Sequence, residues 1–173
     1  MIIDFFTYLL RFAAIILLQV LVINNIQLST YINPYIYIVF ILSLPISTKP
    51  WAVLVISLLA GAVMDSFSNT PGLHMAATVF MGYMRRFYLQ FSTNKEDLEG
   101  HIEPGISSKG FIWFITYAFI MCFMHHFILF FLEAYNIMEF FSIMARVLMS
   151  TIFTVLIICI GQLLFYRIAK AKA

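Results

Sequence analysis

Charge is the scarcest property of this chain: Asp, Glu, Lys and Arg make up 10% of its 173 residues, against 63% hydrophobic residues and a mean hydropathy of +0.98. A soluble domain of this size needs far more polar surface to cover its core, so the composition excludes one and indicates a polytopic membrane protein. The net charge of +2 is too small, and the cations too scattered, for a nucleic-acid surface. Cysteine is limited to Cys122 and Cys159, both in apolar stretches where a thiol packs as a small hydrophobe, and neither informs on compartment. No small-x-small cleavage pattern follows the first apolar run and no basic cluster precedes it, so that run reads as a retained helix instead of a signal peptide. A Gly-rich phosphate loop, paired carboxylates at a workable spacing and a nucleophile with an evident base are all missing. Nothing therefore points to an enzyme or to a cofactor.

What is present is apolar length. Six segments, 5–24, 32–47, 51–67, 73–91, 111–132 and 140–166, approach the roughly twenty residues a bilayer core demands, which predicts an all-α six-helix transmembrane bundle forming one domain, 1–173. The segment at 32–47 is the shortest; Pro45 bends or ends it, and a kinked or partly interfacial helix is the expectation there. Lys49, Arg85, Arg86, Lys95, Lys109, Arg167, Lys170 and Lys172 all fall on one side if both termini are cytoplasmic. The opposite connections, 25–33, 68–72 and 133–139, carry no Lys or Arg. Trp51, Trp113, Tyr31, Tyr35, Tyr88, Tyr135 and Tyr166 sit near segment ends, as interfacial anchors do. The polar connection 92–110 reads as a solvated connector, with one helical turn after Ser92-Thr93-Asn94 and a stop at Pro104-Gly105.

Polar residues inside the apolar segments are costly and therefore informative. Ser57, Gly61 and Asp65 share one helical face, as do His74, Thr78 and Gly82, and the short break between them predicts an antiparallel hairpin with close backbones. Asp65 and His74 would then lie at similar depth near the outer interface and could pair. Ser142, Arg146, Ser150 and Thr154 form a third such stripe on the last segment; Arg146 either reaches Asp65 to complete a buried polar cluster or snorkels to the outer headgroups. Arg11 snorkels toward the cytoplasmic face near Asp4, and Gln19 is placed to bond another helix. Cys122 and His126 stand four apart with His125 beside them, but adjacent histidines diverge by about 100° on a helix and no further ligand completes a shell, which favours interhelical hydrogen bonds over a metal.

The pattern Gly61-x-x-x-Asp65, a short polar break, then Pro71-Gly72-Leu73-His74 opening the next segment resembles the rod-shape-determining protein MreD family. The chain length, six segments and basic tail agree with that likeness. The resemblance implies a non-catalytic subunit of the bacterial inner membrane that binds MreC directly and works with MreB, RodA and its transpeptidase partner in peptidoglycan synthesis and cell shape. Gly61, Asp65, Pro71, Gly72, His74 and Arg146 would be structural and partner-binding positions, with Gly61 and Gly72 permitting close helix approach. The family also resembles in fold the S components of energy-coupling-factor transporters, so a vitamin-binding transport subunit is the alternative. S components carry an Ala-x-x-x-Ala signature in the first helix, whereas here Ala13 and Ala14 are followed four residues later by Leu17 and Leu18. A structural membrane protein outside either family is a third reading.

Overall fold

In a computed structural model that describes residues 2–26, 32–134 and 137–171, with side chains over 6–26, 32–134 and 138–164, every regular element is helical and no strand occurs among the described residues. Tyr31, Tyr135 and Lys172, and the side chains of Asp4, Tyr166, Arg167 and Lys170, lie outside that description. The long helices are α1 (Ile2–Leu21), α3 (Pro50–Ser68), α4 (Leu73–Ser92), α7 (Phe111–Ala134) and α8 (Phe140–Ala171). Between them lie three short ones, α2 (Val39–Leu42), α5 (Lys95–Glu99) and α6 (Ile106–Lys109).

Four stretches are long and apolar enough to cross a membrane: Phe6–Asn25, Pro50–Ser68, Phe111–Ala134 and Phe140–Leu164. The count of six transmembrane helices is therefore not reproduced, for two different reasons. Helix α4 forms as expected, over 20 residues, but Arg85, Arg86, His74 and Gln90 dilute its hydropathy. The segment 32–47 is not one helix. Asn33-Pro34 starts it in extended backbone, since proline disfavours the helical region for the residue before it, a single 3₁₀ turn (Ile36–Ile38) runs into the four residues of α2, and Pro45 follows the end. This strap is nonetheless central: Tyr37, Ile38, Ile41 and Leu42 are all fully buried.

Helices α3 and α4 form the predicted antiparallel hairpin, and α7 and α8 pack in turn against α4 and α7. Pro50 stands in the first turn of α3, where its missing N–H is harmless. Asn69, in the left-handed region at φ 53°, ends the helix. Thr70-Pro71-Gly72-Leu73 is then a type II turn: the Leu73 N–H bonds the Thr70 carbonyl at 3.1 Å, proline takes the second position and Gly72 the third at φ 88°. Nothing lies within 4 Å of where a Gly72 Cβ would stand, so this glycine serves the turn's backbone and not a close helix approach. Gly61 does serve close approach: a Cβ there would sit 2.5 Å from Met75 Cα and 2.8 Å from the His74 carbonyl oxygen. Further along the hairpin, Gly82 faces the Ser57 side chain in the same way.

The connection 92–110 contains the expected helical turn, which ends at Gly100 and not at Pro104-Gly105, where α6 begins; it packs under the bundle instead of standing free in solvent. Ile46 N–H bonds the Ile102 carbonyl at 2.9 Å, the Tyr8 hydroxyl donates to Glu103 at 2.6 Å, and Lys109 pairs with Asp97. Arg11 likewise pairs with Glu103, at 3.2 Å. These contacts gather the start of α1, the turn after the strap and 92–110 at one end, with 69–72 and the α7–α8 connection at the other.

The atoms that would oppose a Gly61 side chain are backbone and cannot rotate away. Gly61→Ala is expected to lower stability by about 1–3 kcal/mol through overpacking, read as a lower unfolding midpoint in detergent. An unchanged midpoint would refute the close approach.

Candidate functional site

The motif residues converge at the α3–α4 turn, on backbone. Asp65, 6% exposed in the last turn of α3, accepts N–H bonds from Gly72 (3.0 Å), His74 (2.9 Å) and Met75 (3.1 Å) and the Thr70 hydroxyl (3.0 Å). One carboxylate thus satisfies orphan donors at the start of α4, where the helix dipole favours negative charge, and it does so from the preceding helix instead of from the cap position. The expected hydrogen bond between Asp65 and His74 is thus present, but it comes from the His74 backbone N–H and not from the ring.

The His74 ring turns inward to the strap. The Tyr37 hydroxyl lies 3.1 Å from His74 Nδ1, 2.9 Å from Thr78 Oγ1 and 2.8 Å from His125 Nε2. Thr78 gives its own proton to the His74 carbonyl at 2.6 Å, so it accepts from Tyr37, whose oxygen then accepts from both imidazoles. All three capacities of the hydroxyl are used, and His74 and His125 are held as the Nδ1–H and Nε2–H tautomers. Tyr35 packs edge-on against His74, ring centroids 4.8 Å apart, and lies against His126 at 5.8 Å. His126 Nδ1 donates to the Cys122 carbonyl at 2.6 Å, a bond within α7 where an interhelical one was expected, while its Nε2 lies 3.4 Å from Thr154 Oγ1 on α8.

The extended part of the strap is satisfied by side chains of the flanking helices. Gln19 on α1 accepts from the N–H groups of Ile36 (2.6 Å) and Tyr37 (3.3 Å) and donates to the Pro34 carbonyl (3.1 Å). On α8, Ser150 accepts from Asn33 N–H at 3.0 Å and Thr154 from Tyr35 N–H at 3.2 Å. At the other end of the strap, buried Arg85 donates to the Leu44 carbonyl and, at 2.9 Å, to the Tyr117 hydroxyl, which itself donates to the Leu42 carbonyl at 3.1 Å.

No protein-family model, curated protein or solved structure matches the chain. What this cluster does chemically follows from its atoms: its donors and acceptors are largely spent on one another and on irregular backbone, which makes it a lock between four segments. Among the described residues no three His, Cys, Asp or Glu side chains are placed to hold a metal.

The remaining expected residues separate from the cluster. Arg146 does not reach Asp65; it pairs with Glu133 on α7 at 3.0 Å and lies 4.1 Å over the Phe130 ring, because the α7–α8 connection is short and brings Glu133 alongside. Ser142 is exposed, so only the lower half of its stripe faces inward. Arg11 pairs with Glu103. Pro71 and Gly72 are exposed in the turn, and Leu73 is half-buried at the start of α4. The sequence reading passed over Tyr37 and took Arg85 only as one of the cytoplasmic-side cations. The signal for Arg85 was its adjacency to Arg86: neighbours on a helix point about 100° apart, so two cations in sequence need not face water together.

Asp65→Asn replaces two acceptor oxygens by one and turns an N–H₂ toward backbone donors. A loss of about 1–3 kcal/mol is expected, and Asp65→Asn should combine with Arg146→Ala additively to within about 0.5 kcal/mol in a double-mutant cycle on unfolding. Tyr37→Phe strands three buried partners and is expected to lower stability by about 1–3 kcal/mol while leaving helix content unchanged by circular dichroism; a variant as stable as the parent would contradict the shared hydroxyl.

Proposed function

We propose that this chain is a non-catalytic membrane subunit of the bacterial cell-elongation machinery, of the MreD type, which binds MreC and acts with MreB, RodA and the partner transpeptidase. The observation that carries the reading is that the motif behind the resemblance behaves as one physical device. Gly61 admits the α4 backbone, Pro71 and Gly72 make the turn, and Asp65 caps the helix that His74 opens. Residues matched for family likeness alone have no reason to be coupled through space, so their coupling supports the match. A cluster whose polar groups chiefly bind one another also supports an assembly role over ligand transport.

In this reading the chain crosses the inner membrane six times, with both termini cytoplasmic. The strap supplies one crossing: four extended residues at about 3.3 Å and seven helical ones at about 1.5–2 Å reach roughly 25 Å. Helix α4 supplies another as the equal-length return of α3. The end that holds Lys49, Lys95 and Lys109 is then the cytoplasmic one, in accord with the positive-inside rule.

Crosslinking the tagged chain in its native membranes, followed by gentle solubilisation and mass spectrometry, tests the proposal. MreC with RodA or its transpeptidase is the expected recovery. Recovery instead of paired transport ATPases with their membrane coupling subunit would overturn it.

A further inference from the structure

A second polar site lies at the opposite end of the α3–α4 hairpin from the Asp65 cap. There a cavity of about 220 Å³, several times the ~30 Å³ share of one liquid water, opens between α4, the start of α3 and the connection 92–110. Ser47, Thr48, Arg85, Arg86, Gln90 and Leu98 are among its lining residues, and no lining residue is acidic. Arg85 is 2% exposed; its Nε and Nη2 are engaged by Tyr117 and the Leu44 carbonyl, while among the described residues it makes no ion pair and its Nη1 no hydrogen bond. Arg86 is exposed and has no hydrogen bond or ion pair among the described residues, although acidic Glu96, Asp97, Glu99 and Glu103 all stand on the adjoining connection. Asp97 is engaged by Lys109 and Glu103 by Arg11 and Tyr8. The first turn of the 19-residue α3 also borders the cavity, through Pro50 and Val53, with no side chain capping it. A buried guanidinium without a counter-ion is costly unless an anion completes it.

We infer that this cavity binds a phosphate group, held by Arg85 and Arg86 with Gln90, Ser47 and Thr48 as neutral hydrogen-bonding partners. Planar guanidinium forks match phosphate oxygens, and basic pockets between helices at a membrane face take anionic headgroups in this way. The group comes either from an anionic lipid or from a soluble phosphate. The inference is independent of the cell-elongation reading, since it rests on other residues at the other end of the hairpin.

The test uses the purified full chain in detergent with phosphatidylglycerol or phosphatidylcholine added, retained lipid being counted by native mass spectrometry, and in parallel the thermal midpoint in millimolar inorganic phosphate. Arg86→Gln and Gln90→Glu alter exposed side chains and should leave helix content unchanged. Preferential retention of phosphatidylglycerol, weakened about fivefold by either variant, supports the site and identifies a lipid source. A midpoint raised by inorganic phosphate and lost in the variants, with both lipids retained equally, supports it with a soluble source. Equal retention of both lipids without a phosphate effect, or binding indifferent to both substitutions, overturns it.

Discussion

Backbone that is not helical carries N–H and C=O groups that lipid cannot satisfy, and this one constraint organises the molecule around its strap. Residues 33–44 run through the bundle with only seven of them helical, so their remaining polar groups need partners from elsewhere. Gln19, Ser150 and Thr154 meet the extended part, and Arg85 with Tyr117 meets the carbonyls at the far end. Polar side chains scattered over α1, α4, α7 and α8 thus share a purpose that none shows on its own helix. The two tyrosines of the strap return the favour to the helices, Tyr37 by joining His74, Thr78 and His125, and Tyr35 by filling the space between the rings.

The α3–α4 hairpin is a second, more local solution to the same constraint. The first N–H groups of a helix have no partner within it, and the carboxylate of Asp65 on the preceding helix satisfies three of them together. That arrangement requires the backbones to meet closely, which Gly61 allows, and the chain to reverse within four residues, which Pro71 and Gly72 accomplish. Asp65 is therefore held by geometry that its neighbours create, and its charge stabilises the helix that carries His74 into the strap.

The buried polar contacts lie within an apolar core, and much of the exposed surface is apolar as well. Helix α1 touches the bundle chiefly along the strap and leaves Leu10, Leu17 and Leu21 exposed, and α8 leaves Ile152, Leu156 and Ile160 exposed. In water this would be a large unfavourable surface; in a bilayer it is the ordinary solvent-facing side. The connection 92–110 closes one end by pairing Glu103 with Arg11 of α1, while Asp97 pairs with Lys109 within the connection itself.

Much of this was legible in the residues. Hydropathy named the class, Pro and Gly marked the breaks, and the four-residue spacing of Ser57, Gly61 and Asp65 predicted the hairpin and its close approach. These are local properties, set by the pitch of a helix and by the few residues that can make a tight turn. The partners of Asp65, His74 and Arg146 were of another kind: a carboxylate binds whichever donors the fold presents, and the nearest ones were backbone N–H groups, which have no letter in the sequence. Whether 32–47 becomes a helix or a strap was likewise decided by side chains far along the chain, Gln19, Ser150 and Thr154, because irregular backbone survives in that setting only where the tertiary structure supplies its hydrogen bonds.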